Sequence, residues 1–84
     1  MRVICLFRDE RDYTRSITDW LEDFYRQTGH EIEVMDPDEN PNFCEAYDVV
    51  DFPTIIVLND NGSVNASWSG TNLPLINEVL YYIM

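Results

Sequence analysis

The sequence predicts an α/β domain with the element order β-α-β-α-β-β-α, a four-stranded mixed sheet with helices on both faces. Three observations carry this. Residues 3–7 and 55–58 are apolar at every position, the pattern of strands covered on both sides rather than one. Between them runs a long amphipathic stripe at helical spacing. After the second apolar run comes Asn61-Gly62, a hairpin signal that adds an antiparallel strand. A strand that returns through a helix to a parallel neighbour, then a hairpin and a closing helix, places helices on both faces of a mixed sheet. The expected strand order is second, first, third, fourth, with the last antiparallel.

The elements follow in turn. Residues 3–7 form the first strand. Tyr13, Ile17, Trp20, Leu21, Phe24 and Thr28 then share one helical face, with Asp12 as N-cap and Gly29 as the stop signal. Glu22 and Arg26 are spaced for an i,i+4 ion pair on the wet side. Residues 31–35 alternate polar and apolar, so they read as a half-buried edge strand with its glutamates outward. A turn-rich loop leads to Asn40-Pro41, an N-cap and first-turn proline opening a short helix whose inner side is Phe43, Cys44 and Tyr47. Residues 55–58 form the third strand. Val64, Ala66 and Trp68 alternate with polar residues in the fourth. Trp68 either caps the core beneath a helix or marks a partner surface. Residues 73–83 form the last helix, with Leu75, Ile76, Val79, Leu80 and Ile83 facing inward.

Eighty-four residues make one domain, residues 1–84. A content of 45% hydrophobic and 13% aromatic residues excludes a disordered acidic tail. Five arginines and no lysine stand against 16 acids, a net charge of −11. That balance argues against nucleic acid and against anionic membranes as partners. No run approaches the length of a membrane span, and the short apolar opening runs straight into charges, so the expected location is cytoplasmic. Cys5 and Cys44 form neither a CxxC nor a zinc pattern, and no metal or cofactor is expected.

Residues 33–70 resemble the second half of a thioredoxin. The resemblance rests on Asp36, Asn40-Pro41, Tyr47, Phe52-Pro53-Thr54 ahead of the buried strand, Asn61-Gly62 and Gly70. The N-terminal half is similar to small glutaredoxin-like proteins, which lack the extra leading strand and helix of full thioredoxins. The resemblance covers essentially the whole chain. It implies a minimal thioredoxin-like fold, with a cis peptide bond before Pro53 that faces the active site. The departure is in the chemistry. The family's CxxC falls on Asp12-Tyr13-Thr14-Arg15, and its buried acid falls on Leu6.

The leading expectation is a redox-inactive thioredoxin-like domain that binds a protein or peptide at the cis-proline surface. The binding residues would be Asp12, Tyr13, Thr14, Arg15, Asp51, Phe52, Pro53, Ser69, Gly70 and Thr71. Asp12 to Arg15 also read simply as a capped helix start. The alternative is a thiol-disulfide oxidoreductase using a single cysteine, Cys44 or Cys5. Against it, Cys5 lies inside a strand and Cys44 at a small inward position of the short helix, where free cysteines pack as apolar groups. Should both thiols face the same side of the sheet, a regulatory disulfide between them becomes conceivable. A third reading is a chaperone-like subunit of a larger assembly. His30, after the helix stop, reads as a solvated loop residue. The expected state is a monomer or weak homodimer, since only one short helix covers one sheet face and the apolar area left exposed there is what would drive dimerisation.

The acidic surface yields a first prediction. The screening length falls from ~10 Å at 0.1 M salt to ~3 Å at 1 M, which relieves repulsion among like charges. Exposed ion pairs contribute only ~0–1 kcal/mol each, too little for five arginines to offset 16 acids. The melting temperature is therefore expected to rise from low salt to about half-molar sodium chloride. A flat or falling melting temperature would show that the acids are not under mutual strain.

Overall fold

A computed structural model describes residues 1–8, 14–70 and 72–83. The elements are β1 (Arg2–Leu6), α1 (Thr14–Thr28), β2 (Glu33–Met35), α2 (Pro41–Ala46), β3 (Thr54–Leu58), β4 (Val64–Ser69) and α3 (Ile76–Ile83). The sheet order is β2-β1-β3-β4, as expected. β1 and β2 are parallel, β1 and β3 antiparallel, and β3 and β4 antiparallel. The strand opposed to the other three is thus β3, not the last one. No helix among the described residues is long and apolar enough to cross a membrane.

β1 and β3 are the centre of the sheet. Their residues from Val3 to Leu6 and from Thr54 to Leu58 are at most 7% exposed. Alternation along these strands makes two apolar layers. On one face, Val3, Cys5, Ile55 and Val57 meet Ile17 and Phe24 of α1 and Val79 of α3. On the other, Ile4, Leu6, Ile56 and Leu58 are covered by Met35, by Phe43, Cys44 and Tyr47 of α2 and its C-cap, and by Val49 and Phe52. Burying a side chain such as Phe24 contributes about 1.5–3 kcal/mol. Trp68 is half-buried against the α1/α3 layer and meets Tyr82 edge-on at 5.6 Å, so it caps the core beneath α3.

Local chemistry closes the elements. Gly29 adopts φ +73° and donates its N–H to the Tyr25 carbonyl at 2.8 Å, ending α1 in a conformation that favours glycine. The β3–β4 turn is held by Gly62 N–H to the Asn59 carbonyl at 2.9 Å. Tyr47 Oη donates to the Gly62 carbonyl at 2.8 Å, tying the end of α2 to that turn.

Four expectations need correction. Leu75 lies before α3 and is 69% exposed; the helix begins one residue later, and Ile76 and Val79 supply the inward face. Arg26 donates to Asp23 at 3.0 Å, one turn back, and not to Glu22. Asn40 stands at the α2 N-cap position, but its side chain turns back to the Asp36 carbonyl instead of capping the helix. The second strand is only Glu33–Met35; Ile32, just before it, packs on the core, while Val34 within it remains 55% exposed at the sheet edge. The expected N-cap Asp12 and the start of the stripe at Tyr13 lie outside the described residues.

Two substitutions separate the inward from the outward positions. Ile17→Val is expected to lower the unfolding free energy by about 0.5–1.5 kcal/mol, since a methyl group leaves a closed core. Leu75→Ala is expected to change it by no more than about 0.5 kcal/mol. Urea titrations of both would show whether Leu75 carries core energy; equal losses would contradict the packing described above.

Candidate functional site

The register lines up Met35, Leu6, Thr54 and Ser69 across one end of the sheet. Beyond this row lie Phe7 and Arg8, the loop of residues 51–53, and Gly70. The parallel strands β1 and β2 end here, and crevices outside the carboxyl ends of such strands are where open α/β sheets bind ligands.

The loop is fixed at several points. The Phe52–Pro53 peptide bond is cis. Pro53 is buried, and its carbonyl accepts the Gly70 N–H at 2.9 Å. Thr54 Oγ1 donates to the Asp51 carbonyl. Gly70 has φ +91°, and a Cβ there would meet nothing within 4 Å, so the need for glycine is conformational and not steric. Among the described residues, no hydrogen bond engages the N–H or the carbonyl of Phe52. The residue before the cis bond therefore offers one backbone donor and one acceptor beside a pinned loop.

The Phe52 ring packs against both apolar layers at the end of the sheet. The Arg8 guanidinium lies over it, 4.8 Å from the ring centre. Arg8 is itself anchored by Asp38, with Nη2 donating at 3.0 Å and Nε at 3.2 Å. Asp38 is steadied in turn by its N–H, which donates to Asp36 Oδ1 at 2.8 Å. The sequence reading placed Arg8 only in a charged run and missed this role. The available signal was its place just past the carboxyl end of β1.

The remaining predicted residues fall as follows. Asp51 and Ser69 are exposed and line one depression of about 150 Å³, together with Thr54 and Ser67. Phe52 lines another, of about 440 Å³, with Arg8, Pro37, Val50 and Cys44. Both depressions lie on the α2 side of the sheet and share Val49 and Val50. Thr14 begins α1, and its carbonyl accepts Thr18 Oγ1 at 2.7 Å. Arg15 is 95% exposed and lies 4.0 Å from Asp19, so it follows the outer side of α1. Asp12, Tyr13 and Thr71 lie outside the described residues.

The two thiols sit on opposite faces of the sheet. Cys5 is fully buried with Ile17, Phe24 and Val79, and burial pushes its pKa up to about 12. Cys44 is half-buried in the α2 layer, its Sγ 4.0 Å from the Pro37 carbonyl. With the sheet between them they cannot pair, which removes the conceived Cys5–Cys44 disulfide. His30 is exposed, and among the described residues only its backbone is engaged, donating to Thr28 Oγ1. Among the described residues, no group of three or more His, Cys, Asp or Glu is placed to hold a metal ion.

No family model matches this sequence. No curated protein matches it either. Solved structures do. Thioredoxin 1 from Thermosipho africanus TCF52B superposes with a TM-score of 0.72 at 22% identity, over 99% of this chain and 90% of its own. A malarial protein gives 0.71 at 18% identity, over 96% and 90%. A thioredoxin variant from Entamoeba histolytica gives 0.68 at 24% identity, over 96% and 76%. With its element order, sheet order and cis-proline loop, the chain has the thioredoxin-like fold.

Proposed function

We propose that this chain works by binding an extended protein segment at the end of the sheet, without dithiol chemistry. The observation that carries the reading is the unengaged N–H and carbonyl of Phe52, held in place by the buried Pro53 and its bond to Gly70. An extended segment pairs with such groups as an added strand, and its side chains on the α2 side of the sheet reach the two depressions. Asp51 and Ser69 would meet one such side chain and Phe52 with Arg8 another. The tetrapeptide 12–15 carries no cysteine, so the two-sulfur exchange typical of a CxxC has no counterpart. Two unpaired thiols suit a reducing compartment, in keeping with a cytoplasmic protein.

A second reading has one observation in its favour: Cys44 lines the same depression as Phe52. A Cys44 thiolate attacking a substrate disulfide would form a mixed disulfide and release one substrate thiol. Cys5 has no such access, being sealed in the other layer.

Placing a photo-crosslinking phenylalanine analogue at Ser69 tests the binding surface. Adducts are expected with the analogue at Ser69 and not with it at Tyr81, exposed on α3 away from both the loop and α1. Equal adducts at both positions, or none at Ser69, would sink the proposal. The native protein is also expected to reduce insulin no faster than dithiothreitol alone. Catalysis that disappears in Cys44→Ser would favour the second reading instead.

The buried thiol gives a pH prediction. Folded Cys5 keeps its proton up to about pH 12, while the unfolded chain releases it near ~8.5. Its contribution to stability is full below ~8.5 and is lost as pH rises toward 12, because folding then requires rebinding a proton. Unfolding titrations between pH 8 and about 10.5 should show the native protein losing stability faster than Cys5→Ala. Parallel curves would mean that Cys5 is not sealed from water.

A further inference from the structure

A second surface stands apart from the end of the sheet. The outer half of α1 and the approach to β2 bound a groove of about 620 Å³. Leu21, Tyr25 and Ile32 give it an apolar lining, and Glu22, Arg26 and Glu31 add charge. Tyr25 is 55% exposed, as is Val34 farther along the same edge. Among the described residues β2 pairs only with β1, so its other side is an open sheet edge. Natural sheets cover or blunt such edges, and an uncovered one beside apolar surface is a template for strand addition. Ile32 lies just before the start of β2, and Met35 at its end stands in the row beside the Phe52 loop, so the groove and the loop lie toward opposite ends of the sheet.

Charge selects the occupant. Arg26 is matched by Asp23 at 3.0 Å. Glu22 and Glu31 have no ion pair among the described residues. The groove therefore presents apolar surface flanked by unmatched carboxylates. A second copy of this chain, at −11, would meet its own charge.

We propose that the β2 edge and this groove receive an extended, basic segment of a partner protein. The segment adds as a strand beside β2. Its alternate apolar side chains lie along Leu21, Tyr25 and Ile32, and its lysines or arginines meet Glu22 and Glu31. Edge pairing supplies the backbone bonds, and the carboxylates select against acidic segments.

Amide NMR with a soluble peptide of alternating valine and lysine tests this. Saturable shifts are expected in residues 21–26 and 31–35. A matched peptide with glutamate in place of lysine should leave them unmoved. In the exposed double variant Glu22→Lys/Glu31→Lys the lysine peptide should bind about fivefold more weakly or worse, and the glutamate peptide should gain what the other loses. No binding, equal binding of both peptides, or shifts confined to residues 51–70 would overturn the proposal. So would sedimentation showing a dimer that covers the groove. Shifts in residues 51–70 alone would count for the Phe52 surface, so the two readings fail separately.

Discussion

β1 and β3 lie side by side with both faces withdrawn from water, and the need to cover four apolar surfaces at once organises the rest of the molecule. One face takes α1 and α3, with Ile17, Phe24 and Val79 closing over Val3, Cys5, Ile55 and Val57. The other has only the six-residue α2. That helix cannot cover the face alone, so Met35, Val49 and Phe52 complete the layer. The loop before β3 is thus part of the core as well as part of the surface. Phe52 touches both layers and is pressed by Arg8 from outside. A backbone donor and acceptor at the sheet's end are held by core packing, the preorganisation that the proposed strand pairing would draw on.

Charge works on a different scale from this packing. The four described arginines each meet a carboxylate: Arg2 with Glu33, Arg8 with Asp38, Arg15 with Asp19 and Arg26 with Asp23. All four pairs are exposed enough to contribute little individually. Arg2 holds Glu33 below the usual carboxylate range by hydrogen bonding, which straps β1 to the edge strand. That strap persists above the ordinary carboxylate pKa and is lost as pH falls through the lowered one. Arg8 differs because its partner also positions it over an aromatic face, where cation and ring attract.

Element order and sheet order were legible because period and composition agreed along the whole chain. Runs of four or five residues apolar at every position, rich in β-branched residues and bounded by charges or turn signals, fit doubly buried strands, and the stripe from Ile17 to Phe24 fits a helix face. What the sequence did not display depended on three-dimensional placement. Cys5 and Cys44 were separable only once the crossover put α1 on one face and α2 on the other. Arg26 had two acids within reach, and rotamer geometry chose Asp23. Leu75 fits the helical spacing of α3, yet Glu78 accepts its N–H at 3.2 Å and places it at the helix entrance, facing water. At the site, Phe52 and Pro53 announced themselves by motif. Arg8 did not: its place just past β1 was visible, but a charged run does not say which residue will stack.

The same placement bears on how the proposed binding surface can stand where a CxxC pair is absent. A two-sulfur exchange needs both thiols within bonding reach at the mouth of a helix. Here the sheet itself separates the only two thiols, and the sulfur at Cys5 is held protonated by its apolar surroundings. Leu6, in the row at the sheet's end, contributes packing to the α2 layer and no charge. None of this touches the backbone at Phe52, whose conformation follows from Pro53, from Gly70 and from burial of the ring. Catalysis depends on side chains that substitution can remove one at a time. Strand pairing depends on backbone groups positioned by the core, and those remain as long as the fold does.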